Sequence, residues 1–196
     1  WGGVDPIVTS AQIIMGLQTI VSRQSNITQA PAVVTIGQIE GGVRFNIIPD
    51  SVVMVGTVRT LDTGMRERIG ERIRRTAEEI ARAAGATAAV YLNEGGPITY
   101  NDPALTRRMT PTLERVAGEG RAMEIPPITG GEDFAAYQQE IPGLFFFLGV
   151  TPPGTPPEEV APNHSPYFFA DEAALPVGVR ALANLTVDFL AGGGPS

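Results

Sequence analysis

The chain has 196 residues, 43% of them hydrophobic, with 21 acidic residues against 14 basic ones and a formal net charge of −7. That content can build the core of one compact domain or two small ones, and an acidic balance without basic residues interleaved with aromatics excludes a nucleic-acid surface. Every basic residue is arginine and there is no cysteine, which excludes lysine Schiff bases, disulfides, thiolate nucleophiles and thiolate metal ligands.

The longest uninterrupted apolar run, residues 144–150, is too short to cross a bilayer, so a soluble chain with no membrane partner is expected. The compartment stays open between cytoplasm and a periplasmic or secreted location reached after leader removal. In chain order, Asp5-Pro6 reads as a helix start, with Asp as N-cap and Pro at the first helical position, where its missing N–H costs nothing. The helix is expected to run to about residue 23 with Ile7, Ala11, Ile14, Leu17 and Val21 on the core face. Two strands follow, residues 32–39, ended by Gly41-Gly42, and residues 51–60, as a probable antiparallel pair.

Asp62 is then the cap of a long helix whose Met65, Ile69, Ile73, Ala77, Ile80 and Ala84 form one stripe, stopping at Gly85. Residues 88–92 read as a further strand. Helix, strand, strand, helix, strand is the order of a ferredoxin-like βαββαβ unit without its first strand, so the chain is expected to begin in mid-domain, with a central sheet edge uncovered. After Gly95-Gly96-Pro97 the pattern changes. Asp102-Pro103 repeats the helix start, leading through Leu105, Met109, Leu113 and Val116 with a kink at Pro111. Residues 144–150 read as a strand covered on both faces, and a last helix should run from Asp171 to Leu190. The expected class is α/β throughout.

Residues 161–168, Ala-Pro-Asn-His-Ser-Pro-Tyr-Phe, hold the only histidine, His164, after a stretch rich in proline. A lone histidine is more often a hydrogen-bonded structural residue than a ligand, yet it is the one side chain here that titrates near neutrality in its ordinary state. Asp171 and Glu172 read as helix-cap residues and Asp133 as an acid in the first turn of a helix.

Six fragments carry a resemblance. Val4-Asp5-Pro6-Ile7, Leu17-Gln18-Thr19-Ile20-Val21-Ser22-Arg23, Asn46-Ile47-Ile48-Pro49-Asp50, Gly56-Thr57-Val58-Arg59-Thr60, Gly130-Gly131-Glu132-Asp133-Phe134-Ala135 and Asn163-His164-Ser165-Pro166 stand in the order found in metal-dependent amidohydrolases related to hippurate hydrolase, N-acyl-amino-acid hydrolases and aminoacylase/carboxypeptidases. The resemblance implies a zinc-peptidase-like α/β catalytic domain holding two divalent ions (zinc, manganese or cobalt), interrupted by a βαββαβ lid that usually forms the contact of a homodimer. Residues 1–97 would be the incomplete lid and residues 98–196 the C-terminal portion of the catalytic domain.

The same resemblance implies roles for particular residues. His164 matches the last metal ligand, and Asn46 and Arg59 match lid residues that contact substrate. Gly130, Gly131 and Glu132 would line the substrate site, the glycines allowing close approach to backbone. The other ligands and the glutamate general base belong to an N-terminal half with no counterpart in these residues, so no catalytic group is assigned. The chain is expected to be a truncated or proteolysed piece, inactive alone, of an enzyme hydrolysing the amide bond of N-acyl amino acids or small peptides. The alternative is a non-catalytic dimerising or small-molecule-binding ferredoxin-like module with a structural His164. A serine or cysteine hydrolase is disfavoured by the absence of cysteine and of a Gly-x-Ser-x-Gly elbow.

Overall fold

The computed structural model describes residues 1–93 and 95–192. The chain divides into two compact units, one of Trp1–Ile98 with Ile128–Glu132, the other of Thr99–Pro127 with the chain from Asp133 on. The sequence reading assigned everything after residue 97 to the second part, whereas Ile98 and the five residues from Ile128 to Glu132 group with the first.

The first unit opens with α1, Pro6–Gln24. Asp5 Oδ1 accepts from the N–H of Ile7 at 2.9 Å and of Val8 at 3.3 Å, satisfying donors that the first turn leaves without a partner. The buried face is Thr9, Ser10, Ile13, Leu17 and Ile20, not the expected stripe from Ile7 to Val21. Of that stripe only Leu17 is buried. The reason lies in the neighbour: a Cβ on Gly16 would stand 2.7 Å from Ile80 Cδ1 and 3.0 Å from Thr76 Cγ2. Side chains of the second helix of the unit thus press against a residue without a side chain, and the inward face includes that side of α1.

β1, Ala32–Gly41, pairs antiparallel with β2, Val52–Thr60. Ala32 lies opposite Thr60 and Gly41 opposite Val52, with a bulge at Gly37, which has no partner in the register. Beside the bulge, a side chain on Gly56 would collide with the carbonyl oxygen of Thr35, so only glycine fits there. α2, Thr63–Ala83, starts at Asp62, whose Oδ1 accepts from Met65 N–H at 2.5 Å. It ends at Gly85 (φ +78°), where Gly85 N–H bonds to Arg82 O and Ala86 N–H to Ala81 O, the paired bonds of a Schellman motif. Ile20 on α1 and Met65 and Ile69 on α2 are the largest fully buried side chains among the described residues, and Ile13, Leu17, Ala30, Val34, Ala77 and Ala81 join them in a core that both helices and the sheet share.

Residues 88–92 do not form the expected strand. Ala86, Ala88 and Val90 pack against the core while Thr87, Ala89 and Tyr91 face out, the period-two burial of an extended chain. What is absent among the described residues is a ladder partner, and β1 and β2 make the only sheet there. The βαββαβ expectation is thus met in its helix–strand–strand–helix portion alone.

The second unit is helical. α3, Pro103–Ala117, is capped by Asp102 through Leu105 N–H at 2.7 Å and continues past Pro111. α4 is the short Phe134–Gln138. A 3-10 turn at Glu172–Ala174, capped by Asp171 through Ala173 N–H at 2.9 Å, leads into α5, Leu175–Ala191. α3 and α5 are fastened by polar contacts. Asp188 Oδ2 accepts from Thr112 Oγ1 and from Arg115 Nη2, each at 2.6 Å. Arg108 lies 4.8 Å above the Phe189 ring and donates to the Phe189 carbonyl at 2.7 Å.

Residues 144–150, expected as a doubly covered strand, have no ladder partner among the described residues and are mostly half-buried. One side chain stands in for a neighbouring strand: Asn101 Nδ2 donates to Phe145 O at 2.8 Å and Asn101 Oδ1 accepts from Phe145 N–H at 2.7 Å. The segment Glu172–Ala191 is long and apolar enough to cross a membrane by length and composition, which a search for uninterrupted apolar runs overlooks. Within it Asp188 is hydrogen-bonded to α3 side chains, and Arg180 interrupts the apolar sequence.

Candidate metal ligand and substrate pocket

The histidine stands at a strained turn. Ser165 N–H bonds to Pro162 O at 3.0 Å, closing a turn whose third residue is His164 with φ +70°. That is the pattern of a type II turn, which normally places glycine or asparagine there. His164 is the only non-glycine residue with positive φ among those described, and holding an L-residue in the left-handed region costs about 1–2 kcal/mol. A second turn follows at once, with Phe168 N–H on Ser165 O at 3.0 Å and Pro166 at its second position. Asn163 Oδ1 accepts from His164 N–H at 3.2 Å. These turns present an exposed imidazole. Strain of this kind is retained where a side chain must be aimed. Among the described residues, no group of three or more His, Asp or Glu side chains could hold a metal ion.

In the first unit, the loop between β1 and β2 and the start of α1 border an open surface hollow of about 470 Å³. Asn46 lines it together with Arg44, and Ile7, Phe45 and Ile48 give it an apolar wall. Gly42 (φ +82°) makes the loop leave β1, and Ile47 N–H bonds to Arg44 O at 3.4 Å. Arg44 and Asn46 are thereby the first and third residues of one turn. Arg59 does not line this hollow. Its Nη1 donates to Thr129 O at 2.8 Å, joining β2 to the segment Ile128–Glu132 of the same unit.

Gly130 and Gly131 follow that carbonyl. Neither has a positive φ, a Cβ on Gly130 would meet only Ile128 Cδ1 at 3.7 Å, and one on Gly131 would meet nothing within 4 Å. The protein's own packing does not demand glycine at either position. Glu132 is exposed. Asp133, in the second unit, takes the N-cap position of α4 without a side-chain capping bond. Its effect on that five-residue helix is charge at the N-terminus rather than hydrogen bonding.

Sequence reasoning passed over two groups. Arg44 could have been found, as a cation two positions before Asn46 in an otherwise apolar Val-Arg-Phe stretch. The Thr129 carbonyl could not, since a backbone acceptor has no residue-type signature. One carboxyl group is clearly perturbed: the Thr112 hydrogen bond, with further help from Arg115, holds Asp188 below the ordinary carboxylate value against an opposing push from desolvation.

Comparison with known proteins gives this geometry its context. Residues 8–188 match the model of peptidase family M20/M25/M40. The chain is 38% identical over 173 residues to the N-acetyl-L-cysteine deacetylase of Bacillus subtilis (strain 168), covering 88% of this chain and 39% of that protein. It is 36% identical over 187 residues to thermostable carboxypeptidase 2 of Saccharolobus solfataricus, covering 95% and 46%. Among solved structures, a dinuclear metal binding M20 peptidase from Bacillus subtilis superposes with a TM-score of 0.67 at 34% identity, over 96% of this chain and 46% of that one. The chain thus spans less than half the length of these relatives. A match over nearly all of its residues shows that the chain belongs to peptidase family M20/M25/M40.

Proposed function

We propose that this chain supplies a substrate pocket and one metal ligand to a hydrolase that cleaves the amide bond of N-acyl amino acids or small peptides. Supporting this are the family match and relatives named as a deacetylase and a carboxypeptidase. The observation that carries it is the backbone at His164: the only non-glycine residue with positive φ among those described bears an exposed imidazole, a strained geometry that suits a side chain aimed at a partner. In this reading residues 1–97 form a ferredoxin-like lid and the homodimer contact, and residues 98–196 belong to the catalytic domain.

A divalent centre, taken as two ions of zinc, manganese or cobalt, fits His164 as one neutral nitrogen donor. When bound, such ions supply an acidified water and a polarised carbonyl. Asn46 offers an amide donor and acceptor able to pair with the substrate's own amide, and Arg59 a planar cationic fork. Gly130, Gly131 and Glu132 follow the Thr129 carbonyl that Arg59 holds, so they form a substrate-contacting segment anchored by that arginine.

The test is His164→Ala in the complete gene product, with metal content and hydrolysis of N-benzoylglycine measured together. Loss of bound metal and a drop in turnover of roughly a hundredfold or more are expected, since second-shell changes alone cost 10–100-fold. Unchanged metal content and turnover would overturn the reading and favour the non-catalytic module.

A further inference from the structure

We infer that Asn163 is a positioning residue for the His164 imidazole: its side chain holds the central peptide of the Pro162–Ser165 turn in the one orientation that aims the ring at a metal ion. The inference rests on the reading of His164 as a metal ligand given above.

A four-residue turn has two common forms that differ by a rotation of the peptide between its second and third residues. In type I the third residue takes a φ of about −90°, open to most residues, and in type II about +80°, which favours glycine or asparagine. His164 stands at +70°. Left to residue preference, Pro162-Asn163-His164-Ser165 would take type I, so something in the chain must hold the strained form. The turn bond itself, from Ser165 N–H to Pro162 O at 3.0 Å, is common to both forms and favours neither. The bond from His164 N–H to Asn163 Oδ1 at 3.2 Å does discriminate, because its donor belongs to the peptide that rotates. Turning that peptide over carries the N–H away from the oxygen. Asn163 is exposed, so this local bond, of the kind that Asn side chains make with neighbouring backbone, is what its side chain contributes rather than packing.

The chain after Ser165 is braced by the next turn, with Phe168 N–H on Ser165 O at 3.0 Å and Tyr167 N–H on Ser165 Oγ at 3.2 Å. The central peptide is therefore the local freedom that remains. Its flip would change φ of His164 by about 160° and redirect the Cα–Cβ bond that carries the ring. A metal–nitrogen bond tolerates an error of only about 0.2 Å. One of the two forms can meet a given ion and the other cannot, so whatever selects the form also sets the affinity.

The experiment has two arms. In the chain itself, without metal, NMR cross-relaxation between the Asn163 Hα and the His164 amide proton reads type II, because that peptide orientation brings the two together. Cross-relaxation between the amide protons of residues 163 and 164 reads type I. Asn163→Ala should move the signal from the first pair to the second while the amides of α3 and α5 stay in place, and Asn163→Asp, which keeps the acceptor oxygen, should retain the first. In the complete gene product, Co²⁺ titration followed by visible absorption should show affinity about tenfold weaker for Asn163→Ala, the scale on which groups that orient a ligand without touching the ion act. Asn163→Asp should bind Co²⁺ no more weakly than the parent. A type II signal that persists in Asn163→Ala overturns the inference, as does a flipped turn with unchanged Co²⁺ affinity in a protein whose affinity His164→Ala abolishes. If His164→Ala itself leaves Co²⁺ affinity intact, the metal-ligand reading falls and takes the positioning role with it, whichever form the turn adopts.

Discussion

The two units hold themselves together by different means. In the first, Ile13, Leu17, Ile20, Ala30, Val34, Met65, Ile69, Ala77 and Ala81 form a single buried cluster contributed by both helices, β1 and the loop before it. In the second, the buried hydrophobic residues among those described are Met109, Ala135 and Ala181. Its helices are instead fastened by Asp188, Thr112, Arg115 and Arg108, while Leu175, Val179, Leu182 and Leu190 of α5 remain exposed. Burying apolar surface contributes about 25 cal/mol per Å², whereas partly exposed ion pairs contribute ~0–1 kcal/mol. The first unit therefore has a stabilising term that the second largely lacks.

Truncating the core is the sharpest way to break this contrast. Ile20 is fully buried, and Ile20→Ala should lower the unfolding free energy of the first unit by about 3 kcal/mol or more through lost transfer energy and the cavity left behind. Urea denaturation followed by circular dichroism measures it, and a loss below about 1 kcal/mol would mean that the cluster does not govern stability.

A smaller and opposite effect is expected in the second unit. His164→Gly removes the left-handed strain and should stabilise the chain by about 1 kcal/mol, net of the added freedom of the unfolded state, while His164→Ala should not. Thermal unfolding of the two variants side by side distinguishes relief of strain from simple loss of the imidazole. The least effect belongs to Asp188. Its folded-state pKa is lowered, so its contribution is fully present above the ordinary carboxylate value near 3.8 and is lost as pH falls through the lower folded-state value. Acid titration of helicity should show that loss, and Asp188→Asn should remove this part of the pH dependence.

The same contrast explains what could be read from the sequence. Helix starts were legible at Asp5, Asp62 and Asp102 because a cap is settled within three residues, and all three carboxylates make the expected bonds. The β1–β2 pair was legible because its turn and both partners lie within 30 residues. Residues 88–92 and 144–150 were read as strands from composition, but strand pairing depends on a partner, and no described residue provides a ladder for either. The buried face of α1 was misplaced because Gly16, a residue without hydrophobic weight, sets where α2 approaches. His164 was found as the sole imidazole and through family likeness. Its strained backbone needed coordinates.

The clasp of Asn101 on Phe145 has a consequence for how the second unit comes apart. Asn101 adjoins Asp102, the α3 cap, and Asp102 N–H itself bonds to Gly143 O at 3.0 Å. Gln138, at the end of α4, joins the same junction by accepting from Tyr100 N–H at 3.0 Å. One peptide therefore serves as the rivet for a helix start, an apolar segment and a second helix, so peeling residues 143–145 away also frays the first turn of α3. The three pieces share a single opening event rather than three independent ones.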